Sequence, residues 1–178
     1  MGAVGVLVMI CILLAQPAFA QSVGEKTGAN SVLGISPKPA DFVKEAAESD
    51  LFEIQSSQLA VSKTDGKVKE IAEQMVADHT QMFGELKSQA QKASIALPTE
   101  IGISQQRMLA KLGTLDGDDF TQQYLDDQVI VHKEAISLFK RFDKGAKDSE
   151  LKAWATQTLP ILQRDLDMAQ ALDKAPND

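Results

Sequence analysis

The stretch KVKEIAEQMVADHTQMFGELKSQAQK, residues 67–92, decides the fold. Stepping about 100° per residue along it collects Val68, Ala72, Met75, Met82, Leu86 and Ala90 on one face, the apolar stripe of an amphipathic helix. His79 falls at the centre of that stripe, between Met75 and Met82, whereas Asp78 points about a quarter turn away. An imidazole on a core-facing stripe needs a polar partner, because burying an unpaired polar group costs free energy.

Three further segments carry the same period. The first runs from Pro39, tolerated in a first helical turn, to about Lys63. It stops at Thr64-Asp65-Gly66, where Gly66 can supply a left-handed cap. The third starts after Asp116-Gly117 with Asp118 as its N-cap candidate and reaches about Lys144. The fourth begins near Asp148-Ser149 and ends near Lys174. Pro160 inside it lacks an N–H, so a kink is expected there. No strand-like alternation competes with these helices.

Short turns join helices one and two, and three and four, so each pair is an antiparallel hairpin. About two dozen residues, 94–117, separate the pairs and are long enough to travel the length of a bundle, with a short helix over Ser104–Leu112. Two hairpins with one long connection predict an all-α, ferritin-like four-helix bundle spanning residues 39–174.

Each helix places a polar residue on its apolar arc. Helix three contributes His132 among Val131, Ala135, Ile136 and Phe139, and helix four contributes Asp165 between Leu162 and Ala169. On helix one both Asp50 and Glu53 fall within the arc, whereas Glu45 and Glu48 do not. Depth is a second criterion. Glu53 lies twelve residues before Asp65 and His79 fourteen after it, nearly level in an antiparallel pair. His132 lies fourteen before Ala146 and Asp165 nineteen after it, a mismatch of about 7 Å at the helical rise.

The flanks read differently. Val4–Ala15 is an apolar run followed by Pro17 and Ala18-Phe19-Ala20, so residues 1–20 read as a secretory signal peptide, with an uncleaved anchor as the alternative. Removing it removes Cys11, the one cysteine, leaving no disulfide, thiolate ligand or thiol nucleophile. The expected location is the periplasm or another exported compartment of the cell envelope, with no membrane span in the mature chain. Residues 21–38 lack a period and read as a flexible leader, and residues 175–178 as a frayed tail. A net charge of −7 and a pI near 4.9 argue against nucleic acid as a partner. They leave the protein partner and the oligomeric state open.

Residues 40–172 resemble the bacterial envelope family known as domain of unknown function 4142. The resemblance rests on Ala-Asp-Phe-Val-Lys-Glu-Ala-Ala at 40–47, Gln-Met-Val-Ala-Asp-His-Thr at 74–80 and Ala-Thr-Gln-Thr-Leu-Pro at 155–160. It implies the ferritin-like superfamily, a role for Glu53 and the Asp78-His79 pair, a second Asp-His pair in helix three, and a Leu-Pro-x-Leu-x-x-His-Leu motif in helix four. This chain departs twice, with Val131 before His132 and Asp165 where the motif has histidine.

The sharpest chemical expectation is one divalent ion held by Glu53, His79, His132 and Asp165; two imidazoles and two carboxylates suit zinc, iron or manganese. The competing expectation is a buried His/carboxylate network that only fixes helix register. Di-iron oxidase chemistry lacks its Glu-x-x-His motif, since positions 76 and 129 are valine. Met75 and Met82 make a weaker case for copper, because methionine at helical spacing ordinarily fills core. Trp154 and Tyr124 read as packing anchors, and no serine elbow supports Ser/His/Asp catalysis, so no enzyme is assigned. A third reading is an interaction module. Phe52 and Leu59 share a face off the core arc of helix one, where they form a docking patch or cover the link helix.

Overall fold

The first long helix starts where Pro39 fixes φ, and Lys38 before it is extended, as a residue preceding proline prefers. In the structure, a computed structural model describing residues 21–26, 28–147 and 149–174, the elements are α1 (Val23–Lys26), α2 (Ala29–Val32), α3 (Pro39–Lys63), α4 (Gly66–Lys92), α5 (Ile103–Gly113), α6 (Gly117–Gly145) and α7 (Glu150–Asp173). There is no strand among the described residues. The all-α bundle expected from the periodicity is what forms, with α3, α4, α6 and α7 as its four long helices. The expectations for residues 1–20, including Cys11, and for 175–178 lie outside the described residues.

Cross-links at the helix ends fix the topology. Lys63 at the end of α3 donates to Asp116 and to the Leu115 carbonyl just before α6, at 2.7 and 2.6 Å. Lys92 at the end of α4 pairs with Glu150 at the start of α7, at 2.6 Å. Thus α3 is antiparallel to α6 and α4 to α7, while the two short turns make α3/α4 and α6/α7 antiparallel as well. The long link carries the chain back along the bundle, with α5 packed on α3.

Two helix starts differ from the expected ones. Gly66 has φ +51° and opens α4 instead of closing α3, whose last turn ends on an extended Thr64. The N-cap position of α6 is Asp116, with Gly117 at φ +57° as the first helical residue. Asp118 and Asp119 then lie in the first turn, where their charge complements the helix dipole. At α7 the Ser149 hydroxyl accepts from the Lys152 N–H at 3.2 Å.

The core is divided. One apolar cluster holds Phe42, Leu86, Phe139, Phe142 and Trp154, with the Phe42 and Phe142 rings stacked at 4.0 Å. A second holds Ala60, Ala72, Leu112, Phe120 and Tyr124. On α3 the first cluster stops at Ala47 and the second starts at Ala60, and on α6 they are separated by the stretch from Leu125 to Ala135. The interval is filled by buried polar side chains, so every long helix dips a polar residue into the same waist of the bundle.

Phe52 is wholly buried against Ile101 and Val131, with Met108 and Leu109 of α5 packed on them. It covers the link and is not a docking patch; Leu59 packs toward the second cluster.

Residues 21–38, expected to be a flexible leader, contain two single-turn helices and are tied down. Arg141 of α6 donates to Glu25 at 3.0 Å and to the Ile35 carbonyl at 2.7 Å, and the Ser22 N–H donates to Asp41 at 3.0 Å. Composition does not reveal such anchoring, because the anchor lies more than a hundred residues away in sequence.

Candidate metal centre

At the waist, α3 supplies Asp50, Glu53 and Ser56, α4 supplies His79, α6 supplies Gln128 and His132, and α7 supplies Asp165. The spacing explains the convergence. Asp50, Glu53 and Ser57 repeat at three and four residues, as Tyr124, Gln128 and His132 do at four, so each set lies on one helical face. Glu53, His132 and Asp165 are 0% exposed and His79 is 1%.

The imidazoles meet across the bundle, with His79 Nε2 3.4 Å from His132 Nε2 and the rings at 77°. His132 Nδ1 lies 2.9 Å from the Gln128 carbonyl. A carbonyl only accepts, so Nδ1 donates and the Nε2 of His132 carries a lone pair. Glu53 Oε1 stands 3.3 Å from the same Nδ1, and His79 Nδ1 stands 3.0 Å from Asp50 Oδ1. One ligand atom each from Glu53, His79 and His132 lies within 4.8 Å of the others.

Burial governs the charge state. It pushes His79 down to about 4 and His132 down to about 3, His132 being lowered further by His79, so both rings are neutral. Burial also raises Asp50 and Glu53 well above the carboxylate range; Asp50 adds to the rise at Glu53, and the neighbouring Gln128 works against it. Two arrangements with both rings neutral fit these distances. With Asp50 protonated, its hydroxyl donates to His79 Nδ1, His79 Nε2–H donates to His132 Nε2, and the chain ends on the Gln128 carbonyl. With Asp50 ionised, His79 Nδ1–H donates to it and both Nε2 lone pairs face the gap between the rings, an arrangement that a cation would satisfy.

The oxygens point the same way. Asp50 Oδ2, both Glu53 oxygens, Gln128 Oε1 and Asp165 Oδ2 are buried without a hydrogen-bond donor. Protons on Asp50 and Glu53 neutralise two of these groups in the metal-free protein, and a cation that displaced those protons would give the oxygens a partner.

Of the four residues singled out in the sequence, Glu53, His79 and His132 form the close group. Asp165 stands at its edge. It acts electrostatically on His79, yet its Oδ1 is taken by Arg164 at 2.8 and 3.0 Å. Sequence reasoning left Asp50 undecided and missed Gln128. The signal for both was available, since each lies one helical turn from a singled-out residue on the same face. Tyr124, read as packing, also shares its hydroxyl with Ser57 at 3.0 Å.

The sequence profile described as "Domain of unknown function (DUF4142)" matches residues 24–172. No curated protein and no solved structure matches the chain.

Proposed function

We propose, for a chain that belongs to the DUF4142 family of domains of unknown function, that this bundle binds one divalent transition metal through Glu53, His79 and His132, with Asp165 as fourth ligand. The observation that carries this reading is the pair of Nε2 atoms facing each other at 3.4 Å beside a carboxylate that has no hydrogen-bond donor. Two imidazoles with carboxylate oxygens form the donor set of zinc, iron or manganese, not of calcium or magnesium. The ligands are sealed from solvent, which favours a resident ion over turnover of an organic substrate. The apolar run Val4–Ala15 and the Ala18-Phe19-Ala20 site support export to the periplasm or another envelope compartment as the place where the ion is acquired.

The test is elemental analysis of protein purified without a histidine tag. The expected content is about one zinc, iron or manganese ion per chain, abolished in His79→Ala. A competing reading is a purely structural network that sets helix register, and the Asp50–His79 hydrogen bond favours it. It wins if the purified chain is metal-free and added ions leave its thermal unfolding unchanged.

A further inference from the structure

Arg164 spans the seam between α4 and α7 at the surface, with about half of its side chain exposed (48%). Its Nε and Nη2 both donate to one oxygen of Asp165, Oδ1, at 3.0 and 2.8 Å. The same Nη2 donates to Asp78 Oδ2 on α4, and Gln74 donates to that oxygen at 2.8 Å, fixing the outer carboxylate from its own helix. The two carboxylates differ in depth, since the Asp165 side chain is 0% exposed and that of Asp78 is 18%.

Asp165 Oδ2, the oxygen that Arg164 leaves free, is buried without a donor. Asp165, Asp78 and Arg164 all act on the His79 imidazole, the carboxylates in one sense and the guanidinium in the other. By burial, Arg164 and Asp78 are the outer groups, and Asp165 and the neutral His79 imidazole are the inner ones. A cation arriving along this seam meets two carboxylates with a guanidinium between them.

We propose that Arg164 is the latch on the port of the metal site. In the metal-free protein it holds Asp165 by one oxygen and neutralises this carboxylate at the edge of the imidazole pair. An incoming divalent cation takes that carboxylate as a ligand, and Arg164 moves wholly onto Asp78, which is already in its reach. The guanidinium and the ion thus compete for Asp165, and Asp78 is where the displaced charge is held. This rests on the metal reading above and assigns that site its route of access and its control.

The experiment uses the metal-free full chain and cobalt(II), whose visible absorption reports nitrogen and oxygen ligation. Capture is followed by stopped flow and release by an excess of chelator. Arg164→Gln is expected to capture cobalt on the order of tenfold faster than the parent, because the guanidinium no longer competes with the ion for Asp165. Asp165→Asn is expected to bind more weakly, and Arg164→Gln on that background is expected to change nothing further, since the latch has lost its hold. Arg164→Lys, which keeps the charge and loses the fork, is expected to fall between. Equal or slower capture by Arg164→Gln overturns the latch while leaving the metal site standing. Failure of both the parent and Arg164→Gln to take up cobalt, with native helical content retained, overturns the site and the latch together.

Discussion

His79 and His132 present their Nε2 atoms to each other at 3.4 Å across the bundle, and each ring is held from behind through Nδ1, by Asp50 and by the Gln128 carbonyl. That back-to-back arrangement has one proton too few for two hydrogen-bonded imidazoles unless Asp50 keeps its own. Much of the behaviour expected of this protein follows from where that proton sits.

The pH dependence of the metal-free protein can be given a sign. His79 at about 4 and His132 at about 3 lie below the ordinary 6.5, so the stability they contribute is present above 6.5 and lost as pH falls through those values. Asp50 and Glu53 are raised, as is Glu45, pushed up to about 7 mainly by burial. Their contribution is present below the ordinary carboxylate range and lost as pH rises through the folded values. Above pH 6.5 the histidine slope is flat and the carboxyl slope persists, at most about 1.4 kcal/mol per pH unit for each fully buried group. Unfolding followed by circular dichroism in chelator should therefore show Tm falling by about 5 °C between pH 6.5 and 8. Added zinc, which replaces the protons, should narrow that fall. A Tm in chelator that rises over this interval would contradict the assignment of neutral carboxyls.

Asp50→Asn isolates the key proton. An asparagine amide can donate to His79 Nδ1 as a protonated carboxyl does, without any charge to bury. The metal-free variant should lie within about 1 kcal/mol of the parent at pH 6.5 and become the more stable of the two at pH 8. Asp50→Ala, which leaves Nδ1 with nothing, should cost about 1–3 kcal/mol at both values. Urea unfolding in chelator decides between these outcomes.

The architecture was legible because its signals are local and repeated. The stripe through Met75, His79 and Met82, the two tight turns and the long stretch at 94–117 leave little choice of topology. Three of the four proposed ligands come together for the same reason: a residue on the arc of an antiparallel pair, at matched depth, meets its partner. Asp165 sits at the edge, in keeping with the five-residue depth mismatch already visible in the sequence. What periodicity cannot supply is pairing across the bundle. The choice of Asp50 for His79, the hold of Arg164 on Asp165, and the clamp of Arg141 on the leader each depend on a side chain from another helix.

Phe52 tests how the link is held. Its ring is wholly buried against Ile101 and Val131, away from the imidazoles, and α5 closes over it. Phe52→Ala should cost about 3–5 kcal/mol in urea unfolding. It should also speed hydrogen exchange across Ile103–Gly113 more than across α4 or α7. Metal uptake should survive, because no ligand is touched. Loss of uptake in a chain that keeps its helical content would mean that the link and the site are coupled.

Arg141 sets a different kind of limit on its own energetics. The Arg141 side chain is 9% exposed and that of Glu25 2%, so removing the guanidinium would strand a buried carboxylate at a cost of about 3–5 kcal/mol if the backbone stayed in place. The leader does not have to stay. Residues 21–36 can lift away and return Glu25 to water, so the penalty is capped by the docking energy of two single-turn helices. Arg141→Gln should therefore lower global stability by no more than about 1 kcal/mol. Hydrogen exchange across Val23–Val32 should approach the rate of an unprotected chain, while Phe42, Phe139 and Phe142 keep the first core cluster closed beneath it. A global loss near the full burial penalty, with the leader still protected, would show instead that the segment is an integral layer of the domain.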